Sequence, residues 1–366
     1  MGGIFKGLFW VIRKCLKFIL AVLLIAVLFV CGFVAYLTIT QYDPEPEETV
    51  MPVGNGNSVL SSGDTIKFLT WNAGYGALGD NADFFMDGGS MVYTAEKDRV
   101  ESNMNTLSSE IGKIDPNIIF VQEIDVEADR SYKIDETEYL RKSFPEMAST
   151  FSTNFKVNYV PYPIPPIGQV YSGLLTLSDY DISYATRYSL PSSFTWPISV
   201  ANLKRGLLVS HIDIADSDKE LVLIDLHLEA YDEGDGKIAQ TNFLCNILKS
   251  EYDKGNYVIA GGDFNQVFSN VDTSAYPMLD EEGIWEAGTI DVTSFGNNFT
   301  CITDSSCPTC RSLDKVYEGA DKDNFQYYVI DGYIVSDNIT INSVETQNLG
   351  FVCSDHNPVV MSVTLN

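Results

Sequence analysis

The stretch "NYVIAGGDFNQVF", residues 256–268, carries the strongest structural signal in the chain. Its apolar run predicts a buried strand, and the glycines that follow allow another part of the chain to approach the backbone closely. Asp263 and Asn265 stand two positions apart, so their side chains point to the same face of an extended chain. This pattern is typical either of an Asx turn that closes a strand or of a functional site. The other strand ends of the chain distinguish the two interpretations.

The N-terminal region predicts a membrane anchor. Residues 18–40, "FILAVLLIAVLFVCGFVAYLTIT", are 23 residues without a charge, enough for one bilayer crossing as a helix. Basic residues lie within residues 1–17 and acidic residues follow the apolar stretch, so the positive-inside rule places residues 1–17 in the cytoplasm and the rest outside the cell. A cleaved signal peptide is the alternative, but no clear Ala-x-Ala site ends the stretch. We predict an uncleaved, single-pass signal anchor in the cell membrane.

The net charge restricts the substrate. The whole chain has a formal charge of −27, and four of its 23 basic residues precede the apolar stretch. Beyond residue 40, 19 basic residues therefore face 50 acidic ones, a formal charge of −31. Such a protein repels polyanions unless a local basic groove overrides the field, so a lipid or small-molecule substrate is favoured over nucleic acid. An acidic surface can also serve solubility alone.

The remaining sequence predicts a linker followed by one folded domain. Residues 41–63 are rich in Pro, Glu, Gly, Asn and Ser and have no periodicity, which predicts a linker before a domain at 64–366. Amphipathic helices are predicted up to Pro116 and over residues 236–252. Strands are predicted at 65–72, 117–123, 172–179, 205–213, 220–229, the opening stretch, 327–336 and 358–365. Many strands with few helices between them favour layered α+β architecture.

Three cysteines lie close together in "CITDSSCPTC", namely Cys301, Cys307 and Cys310. Outside the membrane, such a group indicates either a local disulfide or half of a zinc site. Only one further cysteine, Cys353, follows, and no histidine is near, so we predict one disulfide and leave its pairing open.

Polar side chains occur where apolar runs stop. They are Asn72, Glu123, His227, Asp263, Asn265, Asp355 and His356, and Asp331 lies inside the apolar run "YVIDGYIV". A buried Asp needs a partner, and a histidine is the obvious one. Glu, Asp and Asn oxygens suit Mg²⁺, while an Asp-oriented imidazole can take a proton from water. The set therefore indicates a phosphoester hydrolase.

In this order, "TWN", "VQE", "DLHLEA", "GGDFN", "IDGYIVS" and "SDHNPV" resemble motifs of the endonuclease/exonuclease/phosphatase superfamily, whose members include deoxyribonucleases and neutral sphingomyelinases. The resemblance covers about residues 64–366. It implies a metal-dependent phosphoric ester hydrolase with a four-layer α/β/β/α sandwich, preceded here by the transmembrane helix. The active site would lie at one edge of the two packed sheets.

The resemblance also implies roles for the polar residues. Glu123 would be the principal Mg²⁺ ligand, assisted by Asn72 and Asp355, with Mn²⁺ as the substitute ion. His356 would be the general base, oriented by Asp331.

The same resemblance implies that Asp263 and Asn265 position the attacking water and the phosphate, while His227 stabilises charge in the transition state. Three of the implied roles have structural alternatives, because Asn72 could cap a turn, Glu123 could be a solvated strand end and His227 could be a buried structural histidine. The third histidine, His211, is interpreted as structural.

Three further features bear on the substrate. Arg205 is a candidate phosphate contact, with an exposed strand start as its alternative, and Arg311 is a weaker candidate. An insertion after Asn72 carries Asp80, Asp83 and Asp87, an acidic lip that disfavours a polynucleotide. The proline-rich loop at 160–173 could contact a lipid or sugar, but the favoured interpretation is a packed surface loop.

The leading hypothesis is a membrane-anchored, extracytoplasmic, magnesium-dependent phosphoesterase that hydrolyses a lipid or small-molecule phosphodiester. An extracellular nuclease is the alternative enzyme. It requires a basic groove, and the sequence does not indicate one. The alternative that is not an enzyme is a catalytically silent binding module with the same fold.

Overall fold

The computed structural model describes residues 2–232, 234–280 and 283–366. The α-helices are α1 Gly2–Thr40, α2 Lys97–Ile114, α3 Glu136–Ser143 and α4 Asp235–Asp253. The strands are β1 Glu47–Val50, β2 Thr65–Asn72, β3 Ile118–Asp125, β4 Ala148–Val160, β5 Gly168–Ser178, β6 Tyr184–Ser189, β7 Gly206–Asp213, β8 Glu220–His227, β9 Tyr257–Asp263, β10 Gln266–Phe268, β11 Gly288–Ile290, β12 Phe299–Ile302, β13 Cys310–Arg311, β14 Tyr327–Tyr328, β15 Asp331–Ser336, β16 Ile339–Thr346 and β17 Val359–Leu365.

Two large sheets form the centre of the domain. One has seven strands in the order β1-β6-β7-β8-β9-β15-β12, and the other has six in the order β16-β17-β2-β3-β5-β4. Both are mostly antiparallel, but each contains one parallel pair, β8 with β9 and β2 with β3. Each parallel pair is joined by a helix, α4 in the first sheet and α2 in the second, as parallel strands require a long crossover.

Alternating side chains on these strands build a four-layer sandwich. In β2, Phe68 faces a core shared by the two sheets, whereas Leu69 packs in a second core with Met104 and Leu107 of α2. A third core places β8 and β9 side chains against Leu244 and Leu248 of α4. Apolar side chains on both faces of a strand require cover on both faces. The predicted α/β/β/α sandwich is confirmed.

The glycines of the opening stretch have separate steric reasons. A Cβ at Gly261 would lie 2.6 Å from the Tyr333 ring, where the two sheets pack together. Gly262 has φ +147°, and a Cβ there would lie 2.0 Å from the Leu226 carbonyl oxygen of the neighbouring strand. Both positions exclude a side chain, so the end of β9 can lie directly against β8 and the other sheet.

The predicted linker at 41–63 is wrong in part, because it contains sheet structure. Residues 47–50 form β1, which pairs antiparallel with β6 and completes an edge of the seven-stranded sheet. Val53 forms a bridge with Ser149, and Leu60 is buried in the core between the sheets. This segment has the composition of a linker. It is nevertheless ordered, because it pairs with an open strand edge and buries scattered apolar side chains.

The N-terminal segment is a single long helix. Within α1, Phe5–Thr40 contains an 18-residue window with a mean hydropathy of 3.2, and this length and composition allow a membrane crossing. The last turns of α1 contact the domain: Leu37 is buried, the Phe33 and Tyr159 rings lie 6.0 Å apart, and Trp196 Nε1 donates to Thr38 Oγ1 at 3.1 Å.

The predicted disulfide is not formed, since all seven cysteines are free. Cys301 packs in the core beside α4, Cys353 packs in the core beside α2, and Cys310 lies in a small cluster with Tyr328 and Ile330. Residues close in sequence are thus directed into separate apolar clusters by the strands that carry them.

Candidate active site

The carboxyl ends of the two parallel pairs meet in one place. Asn72 ends β2, and its Nδ2 donates to Glu123 Oε1 of β3 at 3.3 Å and to Asp263 Oδ2 of β9 at 3.0 Å. His227 ends β8, with its Nε2 3.5 Å from Asp263 Oδ2 and 3.9 Å from Glu123 Oε1. Ends of parallel strands in both sheets therefore supply one cluster of polar side chains.

An irregularity in β3 aims Glu123 into this cluster. Its pairing with β5 shifts register between Val121 and Ile124, and Glu123 has φ 50°, in the left-handed region. A bulge of this kind changes the direction of a side chain, and backbone strain in a non-glycine residue is characteristic of functional positions.

His356 and Asp331 form a buried ion pair, with Nδ1 of the imidazole 2.9 Å from Asp331 Oδ2. Asp331 pairs in register with Asp263 across β15 and β9, and His356 Nε2 lies 3.8 Å from Asp263 Oδ2. Burial lowers the pKa of His356, but the negative charges of Asp331, Asp355 and Asp263 raise it by a larger amount, so the net pKa is well above its usual range. The imidazole is thereby fixed by one nitrogen and directs the other towards the cluster.

Asp263 and Asn265 make the Asx turn and also belong to the cluster. The backbone N–H of Asn265, whose φ is 51°, donates to Asp263 Oδ1 at 2.8 Å. The Asn265 side chain donates to the Leu228 carbonyl at 2.9 Å. Burial raises the pKa of Asp263 to about 7, with the charge of His356 opposing the rise and that of Asp331 adding to it. The two interpretations of the opening stretch are therefore compatible, because the turn holds the side chains in place.

Glu123 and Asp355 are the carboxylates of the cluster that could hold a metal ion. Burial raises the pKa of Asp355 to about 6, and His356 opposes this rise while the nearby negative charge of Glu123 increases it. Carboxylate oxygens with an adjacent amide are hard donors, which suit Mg²⁺ or Mn²⁺. A divalent cation between the two carboxylates would offset their mutual repulsion, so the residues fit the ion that the sequence predicts.

The cluster lies in a cavity of about 750 Å³. One part of the wall is polar and includes Glu123, His227, Asp263, Asp355 and His356. The wall continues over apolar side chains of the insertion after β2 and of the segments around β4 and residues 194–203, and it reaches α1. This volume is in the range of sites for small molecules.

A sequence profile of the Endonuclease/Exonuclease/phosphatase family matches residues 69–356. The chain belongs to this family. Members of the endonuclease/exonuclease/phosphatase family are metal-dependent phosphoester hydrolases. A comparison with curated protein sequences gave no significant match.

Solved structures of the endonuclease/exonuclease/phosphatase family share the fold. A protein from Beutenbergia cavernae has a TM-score of 0.55 at 15% identity, covering 82% of this chain and 72% of its own. A family protein from Bacteroides vulgatus has a TM-score of 0.51 at 13% identity, and the match covers 83% of this chain and 100% of the Bacteroides protein. The catalytic domain of human Nocturnin, with bound sulfate, has a TM-score of 0.50 at 15% identity, covering 87% and 97%. At such identities the likeness concerns the fold.

The seven polar residues at the predicted strand ends and Asp331 lie together in this family's fold, but two details differ from the predicted roles. The Nδ2 of Asn72 faces the carboxylates while its Oδ1 accepts from the Gly74 N–H at 3.0 Å, so its oxygen must turn before it can bind a metal. Arg205 is not an exposed strand start. It is buried in the cavity wall, with Nη1 donating to the His227 carbonyl at 3.1 Å and Nε 3.7 Å from Glu229 Oε2.

Other candidates have structural contacts. His211 lies towards the opposite end of the strands from His227, and its Nδ1 is 3.0 Å from Glu220 Oε2. Arg311 is buried and donates to the carbonyls of Gly79 at 2.8 Å and Ala82 at 3.2 Å, so it holds the insertion after β2.

The predicted acidic lip is largely wrong, because most of its carboxylates are engaged within the insertion or with a nearby helix. Asp83 accepts from the N–H groups of Ser90 and Met91 at 2.6 Å, and Asp80 forms an ion pair with Arg99. Asp87 alone of the three lines the cavity, and burial raises its pKa to about 7.

The sequence does not indicate several of the cavity residues, and Tyr75 and Cys310 are two that lie beside the cluster. Tyr75 is buried in the wall, and the Arg130 guanidinium lies 3.7 Å from its ring centroid. The backbone of Cys310 pairs with that of His356 in an isolated antiparallel β-bridge. Burial raises the pKa of the Cys310 thiol to about 12, so it stays protonated. Tyr75 stands in a glycine-rich insertion and Cys310 in a cysteine group, and neither context indicates this site.

Proposed function

We propose that this chain is a membrane-anchored, magnesium-dependent phosphodiesterase that acts outside the cytoplasm on a lipid or small-molecule substrate. The observation that carries the proposal is the convergence of two pairs on one cavity, the Asp331–His356 ion pair and the Glu123–Asp355 carboxylates. The first pair can handle a proton and the second can hold a cation.

Glu123, Asp355 and, after rotation of its amide, Asn72 are the residues that would hold the metal. A bound divalent cation would stabilise charge on the phosphoryl oxygens and, through its own charge, lower the pKa of His356 so that the imidazole is neutral. Asp331 fixes the Nδ1 of His356 at 2.9 Å and leaves Nε2 directed at the cluster. His356 can then take a proton from a water molecule through Nε2 as that water attacks phosphorus.

His227, Asp263 and Asn265 complete the set. Burial lowers the pKa of His227 well below its usual range, and the charge of Arg205 adds to this effect. His227 is therefore neutral at physiological pH and can donate a hydrogen bond to the phosphorane-like transition state. Asp263 and Asn265, locked by their turn, orient the water and the phosphate.

Charge in the cavity favours a lipid or small substrate over nucleic acid. The arginines in the cavity wall are Arg130, Arg205 and Arg311, and each is already engaged by carboxylate or carbonyl oxygens. Within the described residues, no lysine lines the cavity. A nuclease needs cationic side chains free to contact successive phosphates.

The location outside the cytoplasm rests on α1 and the charges around it. The basic residues at its start favour a cytoplasmic N-terminus. Packing of Leu37 and Thr38 against the domain favours retention of the helix over its cleavage. A protease-protection experiment on intact cells, with a tag at each end of the chain, tests this orientation, and protection of the C-terminal tag would contradict it.

Catalysis is tested with the purified full-length chain in detergent. We expect hydrolysis of bis-para-nitrophenyl phosphate with Mg²⁺ or Mn²⁺, loss on chelation, and at least a 100-fold decrease for His356→Ala. His211→Ala is the matched control, because His211 bonds a carboxylate outside the site, and it should retain activity. Activity confined to plasmid DNA would indicate the nuclease, and no activity on any phosphoester would favour the silent binding module.

A further inference from the structure

The active-site cavity extends to the membrane helix. Val30, Phe33, Val34 and Leu37 of α1 line the same cavity as Glu123 and the other catalytic side chains. A soluble substrate needs no such connection. The shared wall therefore indicates that the cavity opens where α1 enters the domain.

The position of these residues on α1 places the opening within the outer leaflet of the membrane. A bilayer crossing takes about 20 apolar residues, so a span that begins at Phe18 ends near Leu37. Val30 to Leu37 then lie at the depth of the outer leaflet. Trp196 is 64% exposed and donates to Thr38 Oγ1, which matches the preference of Trp for the membrane–water interface.

The cavity changes in chemistry between its two ends. Beside α1 it is lined by apolar side chains that include Phe155, Tyr162, Phe194, Ile198 and Leu203. None of these side chains, and none of the α1 side chains in the wall, is charged. The charged side chains of the catalytic cluster line the same cavity. An amphiphile with a phosphate at one end and hydrocarbon at the other complements this distribution.

The mouth of the cavity exposes further apolar side chains. Tyr162 is 70% exposed and Ile198 is 63% exposed, although both also line the cavity. Ile164, on the same proline-rich loop as Tyr162, is more exposed still. Exposed apolar side chains around a groove mark a contact with a membrane or with a partner protein. Because α1 adjoins this groove, contact with the membrane is favoured. The packed surface loop expected at 160–173 is thus part of the cavity rim.

We infer that the substrate is a phospholipid of the outer leaflet in which α1 is embedded, entering the cavity sideways along α1 with its acyl chains in the apolar half. This inference rests on the proposed function, because the catalytic half supplies the hydrolysis. Water adds to phosphorus and one P–O ester bond breaks, giving a phosphomonoester and an alcohol whose oxygen takes the proton.

Activity tests this inference in proteoliposomes that contain the full-length chain and equal amounts of phosphatidylcholine, phosphatidylethanolamine and phosphatidylglycerol. With Mg²⁺ we expect loss of at least one parent phospholipid by mass spectrometry. The double variant Tyr162→Glu/Ile198→Glu should lower that rate at least tenfold while bis-para-nitrophenyl phosphate is hydrolysed within twofold of wild type. Val59→Glu, at a residue that is also largely exposed but outside the cavity wall, is the matched control and should change neither rate.

Binding is tested separately from catalysis. In the presence of a chelator, phosphatidylcholine with a diazirine in its acyl chain should label peptides that contain residues 155–167 and 194–203, and the double variant should lose this labelling at least fivefold. Label confined to α1 would overturn the inference, as would hydrolysis of bis-para-nitrophenyl phosphate with all three lipids left intact. Failure on bis-para-nitrophenyl phosphate would instead refute the proposed hydrolase, whereas the labelling result would still decide whether lipid occupies the groove.

Discussion

Replacement of Asp331 by Asn removes the charge that holds His356 and changes little of the side-chain volume. Asp331 is buried, and its Oδ2 lies 2.9 Å from His356 Nδ1. A hydrogen bond to a charged group contributes about 1.5–3 kcal/mol. If this energy orients the base in the transition state, its loss lowers kcat/KM about 10- to 150-fold, at roughly 1.4 kcal/mol for each factor of ten.

The pH profile separates this role from a merely structural one. The charge of Asp331 raises the pKa of His356. The base must be neutral to act, so the ascending limb of kcat/KM against pH reports its deprotonation. In Asp331→Asn the pKa falls, and the limb should move to lower pH while the plateau decreases.

The assay is hydrolysis of bis-para-nitrophenyl phosphate between pH 5 and 9 at saturating Mg²⁺, with thermal unfolding of each variant measured alongside. Asp304→Asn is the matched control, because Asp304 bonds the Thr346 and Ser306 N–H groups at 2.9 Å and no histidine. A folded Asp331→Asn protein with activity within threefold of wild type and an unmoved ascending limb would refute the assignment of His356 as an Asp-oriented base.

Glu123→Gln removes one of the two carboxylates proposed to bind the cation. The Mg²⁺ concentration that gives the half-maximal rate should therefore rise at least tenfold. An unchanged Mg²⁺ titration would contradict the ligand role of Glu123. Burial raises the pKa of Asp225 well above its usual range, so the folded state binds this proton more tightly than the unfolded chain does. The contribution of Asp225 to wild-type stability therefore falls as pH rises above about 3.9. Asp225→Asn lacks this loss, and its Tm relative to wild type should increase from pH 4 to pH 8 by scanning fluorimetry; a constant difference would count against the burial argument. Arg311→Ala leaves the carbonyls of Gly79 and Ala82 without their buried donor and should lower the free energy of unfolding by about 3 kcal/mol in urea titrations, with Arg311→Lys recovering only part of it.

The central strands and the residues at their ends were predictable because their signals are local. The run from Thr65 to Asn72 is rich in β-branched and aromatic residues, which favour strands, and the structure has β2 with those bounds. Predicted helix 236–252 corresponds to α4, Asp235–Asp253. Buried strands between glycines and polar ends can be recognised without knowledge of their neighbours.

Features that depend on distant partners were not predictable in this way. The thirteen-residue strand β4 reads "ASTFSTNFKVNYV", and its many Ser, Thr and Asn residues hide a strand that is defined by its pairing with β5. β1 lies in a segment with the composition of a linker and is ordered by β6. The expected disulfide failed because neighbours in sequence enter different cores.

In the candidate site, too, some residues are predictable from local motifs, while the placement of others depends on distant partners. Asp263 and His356 stand in motifs whose residue types already indicate their chemistry. The direction of Glu123 depends on a register shift, and the burial of Arg205 depends on Glu229 across the wall. The apolar half of the cavity is assembled from α1, the proline-rich loop and residues 194–203, and no single segment of sequence contains its pattern.

The early start of β1 has a consequence for kinetics. Helix α1 ends at Thr40 and β1 begins at Glu47, so residues 41–46 alone join them, a tether of about 20 Å at full extension. With α1 in a bilayer, the domain stays within one molecular diameter of the headgroups and meets its substrate by lateral diffusion. Its turnover should then follow the number of substrate molecules per unit area, and adding more vesicles of the same composition should leave the rate per enzyme unchanged.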